Sequence, residues 1–179
     1  MRILVINPNT TDAMTHDIGD AARRYARPGT EIETVSPDWG PRSIESHYED
    51  FVAAVAMLET VRDRAADFDA VIIACYGDPG LAAAREISPV PVVGIAEASM
   101  LMACTVAHSF SIVTVLPRVK PMLADVVKLH GLEARCASIR TTPLSVLDCE
   151  CDPTAAGREI IEAGRRAIEE DGAEAICLG

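Results

Sequence analysis

The sequence is poor in aromatic residues and in positive charge, and both shortages restrict what the chain can be. Only 4% of the 179 residues are aromatic, although 49% are hydrophobic. The core must therefore consist of Val, Ile, Leu and Ala, which is typical of α/β folds with buried parallel strands. The formal net charge is -11. Such an acidic surface argues against nucleic acid or an anionic membrane as a partner.

The sequence also lacks long apolar runs and a recognisable targeting segment. No run approaches the ~20 apolar residues that span a membrane, and the opening "MRILVINPN" is strand-like, without the layout of a signal peptide. We therefore expect a cytoplasmic protein. The six cysteines lie at positions 75, 104, 136, 149, 151 and 177. Because a chain of this length in a reducing compartment needs no disulfide framework, we expect free thiols.

Strand-like and helix-like segments alternate along the first half. The spacing of Phe51, Val55, Leu58 and Val61 is helical, and Asp78 with Pro79 forms an N-cap and N1 pair for a short helix ending at Glu86. The alternation predicts an α/β fold with a mainly parallel, doubly wound sheet. The predicted strands span 3–6, 30–37, 70–75 and 90–95, and the other predicted helices span 11–27, 44–66 and 96–108.

The second half repeats the first. "FSIVTVLPR" at 110–118 is a strand followed by a turn, like "ILVINPN" at 3–9, and a helix capped by Asp152 precedes the final strand "AEAICLG". Laying Ala70 on Ala175 puts Ala74 on Gly179, so the counterpart of Cys75 is the position after Gly179. We predict two similar domains, 1–97 and 98–179.

Cys75 is the strongest candidate for chemistry. It follows a buried parallel strand, and ligands of open α/β sheets bind outside the carboxyl ends of the strands. The next residues, "YGDPG", form a tight turn into a predicted helix N-terminus, which favours a thiolate and offers N–H groups to an oxyanion. The alternative is that Cys75 is simply a small residue at a strand end.

Several motifs together resemble one enzyme family. They are "INPNT" at 6–10, "PRSIES" at 41–46, "ACYGDPGLAAARE" at 74–86, "VVGIAEAS" at 92–99, "FSIVTVLPR" at 110–118 and "DGAEAICLG" at 171–179. In this order and spacing the chain looks like the hydantoin and allantoin racemases of the aspartate/glutamate racemase superfamily. The motif around Cys75 is the most specific of the set.

The resemblance implies two flavodoxin-like domains, related by pseudo-two-fold symmetry and facing each other across a cleft. One cysteine from each domain would move a proton at C5 of a cyclic ureide, a hydantoin or allantoin, without cofactor or metal. Cys75 matches the first cysteine. The second should follow Gly179, so we expect that the second domain is incomplete here and that these residues belong to a longer protein. We also expect a homo-oligomer.

Other residues are candidates for contact with the substrate. Asn9 and Thr10 follow the first strand, Ser43 and Ile44 lie in a matching motif, and Tyr76 adjoins Cys75. The N–H groups of 76–78, which include Gly77 and Asp78, are candidate donors to an enolate oxygen. Thr114 and Arg118 flank the first loop of the second domain. Each has a structural alternative: a turn, a helix cap, a buried strand residue or a solvated charge.

Rival interpretations remain at this stage. Within the superfamily these are an aspartate or glutamate racemase, an arylmalonate-type decarboxylase and a maleate isomerase. Outside the superfamily, the alternative is a flavodoxin-like binding module whose "NPNTTD" turn holds the phosphate of a flavin. A further alternative is an inactive homologue. The "CEC" segment at 149–151 has no second cysteine pair, so we interpret it as a loop before a capped helix and not as a zinc site.

Overall fold

The computed structural model describes the backbone of residues 1–179 and every side chain except that of Glu150. Strands and helices alternate as the sequence predicts, apart from two consecutive helices before the last strand. The strands are β1 (Arg2–Ile6), β2 (Glu31–Val35), β3 (Ala70–Ile73), β4 (Val92–Gly94), β5 (Phe110–Thr114), β6 (Cys136–Thr141) and β7 (Ala175–Leu178). The α-helices are α1 (Asp12–Tyr25), α2 (His47–Arg64), α3 (Leu81–Ile87), α4 (Ile95–Val106), α5 (Lys120–Leu129), α6 (Val146–Cys151) and α7 (Pro153–Asp171).

The chain divides into two structural units. Unit 1 comprises Met1–Ile44 and Tyr48–Ile95. Its sheet is parallel throughout, in the order β2-β1-β3-β4. Because parallel strands are covered on both faces, the central strands are apolar: Leu4, Ile6, Val71 and Ile73 are all fully buried.

Unit 2 comprises Glu45–His47 and Ala96–Gly179. Its three strands are also parallel, in the order β6-β5-β7, which matches the order β2-β1-β3 of unit 1. This is the beginning of the flavodoxin-like strand order, so the predicted α/β fold class is confirmed. The sequence analysis divided the chain into two domains between residues 97 and 98. That domain boundary stays a prediction.

The strand registers match the repeat seen in the sequence. Ala70 pairs with Ile3 at the start of β3, and Ala175 pairs with Phe110 at the start of β7. At the other end, Ala74 N donates to Ile6 O over 2.8 Å, and Gly179 N donates to Val113 O over 2.9 Å. Ala74 and Gly179 thus occupy equivalent places, as the alignment of the two halves requires.

The helix over α2 was predicted correctly, but its buried face was not the one that the large apolar residues suggest. Phe51 is 70% exposed and Val55 is 53% exposed, whereas Met57 and Val61 are fully buried. The core-facing positions of this helix are Ala53, Ala56, Met57 and Val61. Small residues let the helix lie close to the sheet, and the larger side chains on the other face remain in solvent.

The segment around "CEC" was expected to be a loop, and this expectation was wrong. It forms α6, whose first turn is closed by a capping box in which Ser145 and Asp148 bind each other's backbone N–H groups. Asp152 then caps α7 by accepting from Ala155 N over 2.9 Å, as predicted. None of the helices, as far as the structure describes their residues, is long and apolar enough to cross a membrane.

Candidate functional site

Cys75 lies just beyond the carboxyl end of β3, where the sequence placed it. Ala74 continues the ladder to Ile6, and Cys75 is the next residue out of the sheet. Its side chain is half-buried. The backbone N–H of Gly77 hydrogen-bonds the sulfur, and Asp78 N donates to Cys75 O over 3.0 Å. Cys75 is therefore fixed by its own turn at the sheet edge that usually carries ligands.

The thiol of Cys75 is neutral at physiological pH, which corrects the expectation of a favoured thiolate. Burial raises its pKa to about 12, and the negative charges of Asp50 and Asp78 add to the effect, while the Gly77 hydrogen bond opposes it. The helix that was expected to lower the pKa begins only at Leu81 and has seven residues. Because the dipole acts within its first turn, Cys75 lies too far from it to gain much.

Asp78 is not the helix cap that the sequence suggested. The N-cap position of α3 belongs to Gly80, with φ 68°. Asp78 itself has φ 47°, an uncommon value outside glycine, and is only 7% exposed. A Cβ built on Gly94 would lie 2.5 Å from both carboxylate oxygens of Asp78. The carboxylate thus occupies space that only glycine leaves open.

Two of the backbone donors that we expected at residues 76–78 form hydrogen bonds with Cys75 itself. The N–H of Gly77 is directed to the Cys75 sulfur, and the N–H of Asp78 is directed to the Cys75 carbonyl. Both donors are used inside the turn because it folds back on itself. Tyr76 is half-buried beside them.

The loop after β1 is organised by Asn7, a residue that the sequence analysis did not single out. Asn7 is 1% exposed, and its Nδ2 donates to Asn9 Oδ1 and to Thr15 Oγ1, each over 2.9 Å. Asn9 Oδ1 also accepts from Thr11 N over 2.9 Å. The amide group of Asn9 is directed at Met14 Sδ, at 3.0 Å. The one signal for Asn7 in the sequence is its place as the first residue of the "NPN" motif.

Residues 10 and 11 join this loop to the segment at 41–44. Thr10 N donates to Pro41 O over 3.0 Å, and Thr11 Oγ1 donates to Arg42 O over 2.6 Å instead of capping α1. Ser43 is half-buried next to them. Ile44 is 8% exposed and belongs to the core. A backbone and a side-chain hydrogen bond thus bring the loop that carries Asn9 and Thr10 to the segment that carries Ser43.

The hydrogen bonds of the loop after β1 are relevant to the alternative that its "NPNTTD" turn binds the phosphate of a flavin. A phosphate-binding turn needs several backbone N–H groups aimed at the anion. In this turn Asn9 N donates to Asn7 Oδ1, Thr10 N to Pro41 O and Thr11 N to Asn9 Oδ1. These donors are consumed within the protein, so the turn does not form a phosphate cradle.

In unit 2 the two predicted residues lie in or near the loop after β5. Thr114 is 4% exposed, and its carbonyl accepts from Thr142 N over 3.0 Å. Arg118 is exposed, and its Nε donates to Glu45 O over 2.8 Å. Between them Leu116 has φ 44°, an outlier for a bulky residue. Strain of this kind is concentrated at functional sites, and the sequence carries no signal for it.

Three of the other cysteines lie wholly or partly inside the structure. Cys177 is 4% exposed, and its sulfur contacts Ser99 O of α4 at 3.7 Å, so it faces a helix. Cys104 and Cys136 are half-buried. Among the side chains that the structure describes, no group of three or more His, Cys, Asp and Glu is placed to hold a metal ion.

Unit 1 also contains a cleft of about 390 Å³. It lies beside Trp39, whose Nε1 donates to Glu59 Oε2 over 2.9 Å. Its lining consists of Val35, Ser36, Pro37, Asp38, Trp39, Ala56, Glu59, Thr60, Asp63 and Arg64. It contains no residue that the sequence marked for substrate contact.

Comparison with known proteins gives consistent matches over the whole chain. The family described as Asp/Glu/hydantoin racemase matches residues 3–179. A hydantoin racemase of Pseudomonas sp. (strain NS671) is 52% identical over 180 residues, which cover 100% of this chain and 72% of that protein. The allantoin racemase structure from Klebsiella pneumoniae has a TM-score of 0.97 at 48% identity, covering 100% of this chain and 74% of that one. That of Pseudomonas fluorescens has a TM-score of 0.96 at 45% identity, covering 100% and 76%.

Proposed function

We propose that this chain, which belongs to the Asp/Glu/hydantoin racemase family, racemises 5-substituted hydantoins or allantoin by proton transfer at C5, with Cys75 as one of two catalytic thiols. One observation carries the proposal. The Cys75 thiol lies at the carboxyl end of a central parallel strand, fixed by its own turn. The names of relatives that cover the whole chain supply the substrate class.

The protonation state of Cys75 defines its first step. Because burial and two carboxylates raise its pKa, Cys75 meets the substrate as a thiol and acts as the acid. A base on the opposite face removes the C5 proton, and the electron pair moves onto the neighbouring carbonyl oxygen. The S–H bond of Cys75 then breaks, C5 receives its proton, and the thiolate that remains is the base for the reverse direction.

The internal repeat supports a position for the second base. Ala74 and Gly179 make the same hydrogen bond to the central strand of their units, so the position after Gly179 corresponds to Cys75. We place the second thiol at that position. Cys177 does not fill this role, because its buried sulfur faces α4. The residue encoded directly after Gly179 tests the assignment: a cysteine supports it, and any other residue overturns it.

Deuterium exchange at C5 tests the reaction itself. Each enantiomer of allantoin and of a 5-alkylhydantoin is incubated separately in deuterated buffer near neutral pH with the protein as expressed from its gene. NMR follows exchange, and chiral chromatography follows inversion. A blank without protein corrects for spontaneous exchange. Cys75→Ser is compared with Cys151→Ser, which alters an exposed thiol.

We expect both enantiomers to be inverted with uptake of deuterium, since the donor and the acceptor of the proton lie on opposite faces. Cys75→Ser should lower the rate by about 10²-fold or more, and Cys151→Ser should leave it unchanged. Exchange of one enantiomer with retention would mean that a single base acts, and would overturn the two-base mechanism. Equal exchange with and without protein would overturn the proposed function.

A further inference from the structure

We propose that Asp78 is a positioning residue for Cys75: its carboxylate, seated on Gly94, locks the turn that carries the thiol and brings a buried negative charge into that turn. The catalytic part of this inference rests on the proposed function. The part that concerns the protonation state of the Cys75 thiol does not rest on the proposed function, because protonation is measured without any substrate.

Backbone hydrogen bonds hold Asp78 in place on both sides. The turn is closed on one side by Asp78 N donating to Cys75 O over 3.0 Å, and on the other by Leu81 N donating to Asp78 O over 3.1 Å. Asp78 adopts φ 47° between these bonds. A positive φ in a non-glycine residue costs of order 1 kcal/mol, and something in the structure must offset that cost.

The carboxylate of Asp78 packs directly against Gly94. A Cβ at position 94 would lie 2.5 Å from both carboxylate oxygens, which is closer than real contacts allow. Position 94 must therefore be glycine while Asp78 keeps this position. Asp78 is also buried, with only 7% of the residue exposed. A hydrophobic side chain at position 78 could fill the same space. The buried carboxylate of Asp78 differs from it by a negative charge that bulk water screens little.

The negative charges of Asp78 and Asp50 both act on the thiol of Cys75. The carboxylates that raise the pKa of Cys75 are Asp50, from the first turn of α2, and Asp78, from the turn itself. The site thus surrounds the thiol with two negative charges, and a thiolate there is disfavoured.

This arrangement has a catalytic consequence. Two-base racemisation needs one thiol and one thiolate at the same time, and two equivalent cysteines would share the proton between them. Asp78 and Asp50 remove the equivalence, because they retain the proton on Cys75. The resting enzyme is then prepared for the enantiomer whose C5 hydrogen faces the other base.

Alkylation of Cys75 as a function of pH tests the inference. Iodoacetamide is reacted with the full protein, and peptide mass spectrometry follows the Cys75 peptide alone. The variants are Asp78→Asn, which keeps the shape and removes the charge, and Asp38→Asn. Asp38 is an exposed carboxylate that follows β2 at the same edge of the sheet, so it controls for the change in net charge.

We expect Asp78→Asn to alkylate about 3- to 10-fold faster than wild type at a fixed pH between 8 and 9, because one pKa unit is a tenfold change in thiolate. Asp38→Asn should alkylate at the wild-type rate. Equal rates for all three proteins would overturn the inference. A shifted alkylation rate in a protein without racemase activity would overturn the proposed function and leave this inference standing.

A compensating pair tests the lock. Gly94→Ala should lower the melting temperature, because its methyl group collides with the Asp78 carboxylate. Asp78→Gly combined with Gly94→Ala should recover most of the loss, since both the collision and the unfavourable φ disappear. Gly94→Ala without effect, or a double variant as unstable as the single one, would contradict the lock. If Gly94→Ala does not fold, rescue by Asp78→Gly is read from recovery of folded protein.

Discussion

Ala74 donates its backbone N–H to the carbonyl of Ile6 over 2.8 Å. This bond is the last of the ladder between the two central strands of unit 1, and Asn7 and Cys75 are the next residues of each chain segment. The register, which pairs Ile6 with Ile73, sets Asn7 opposite Ala74 and leaves Cys75 one residue further out. The loop after β1 and the turn after β3 therefore start from the same edge of the sheet.

Asn7 should be essential for the stability of this edge. Asn7→Ala removes the donor to Asn9 and Thr15 and leaves buried acceptors without it. We expect a loss of about 1 to 3 kcal/mol in the free energy of unfolding, measured by urea denaturation. Asp12→Ala, an exposed change in the same segment, should cost less than about 0.5 kcal/mol. Equal midpoints for the two variants would show that the Asn7 network is not a stability determinant.

Cys75 should make the protein less stable in alkali. Its folded pKa is raised to about 12 from an ordinary value of 9.0, so the folded state keeps a proton that the unfolded state releases. The stabilisation that this proton provides is complete below pH 9 and is lost as the pH rises towards 12. Between pH 9 and pH 11 we expect wild type to lose up to about 2 kcal/mol more than Cys75→Ala. Parallel urea midpoints across this range would contradict the raised pKa.

The sequence predicted the alternation of strands and helices, the parallel sheets and the place of Cys75, because these follow from apolar periodicity and from the rule for strand ends. It did not predict the protonation of Cys75. That property depends first on burial and then on Asp50, a residue of α2, and neither is visible in local spacing. Asp78 was misassigned for a related reason: Asp followed by Pro is a common cap, whereas its seat on Gly94 is a tertiary contact.

The buried face of α2 gives a direct test of such tertiary effects. Phe51 is 70% exposed and Met57 is fully buried, although both are large apolar residues of one helix. We expect Phe51→Ser to change the free energy of unfolding by less than about 0.5 kcal/mol. Met57→Ala should lower it by about 2 to 5 kcal/mol through the cavity it leaves. Thermal and urea unfolding of both variants measure the difference, and the reverse ranking would show that the helix presents its other face to the sheet.

Arg140 and Asp171 should govern stability in acid. Arg140 Nε and Nη2 each donate to one oxygen of Asp171 over 2.7 Å, joining β6 to the end of α7. Hydrogen bonds from Arg140, and then from Ser138, lower the pKa of Asp171 to about 2 from 3.8. A depressed folded pKa stabilises the protein above the unfolded value, and this contribution is lost as the pH falls from about 4 to 2. Because the two side chains remain 18% and 21% exposed, solvent screening reduces the effect to about 1 kcal/mol.

Asp171→Asn should therefore lose less stability than wild type when the pH is lowered from 5 to 3, and the two curves should converge in acid. Glu162→Gln is the matched control. Its carboxylate pairs with Arg165 within α7 and is half exposed, so its removal should leave the acid dependence nearly unchanged. Urea midpoints at several pH values measure all three proteins. If Asp171→Asn followed the wild-type curve throughout, the ion pair with Arg140 would not contribute to the stability of unit 2 in the way that its geometry indicates.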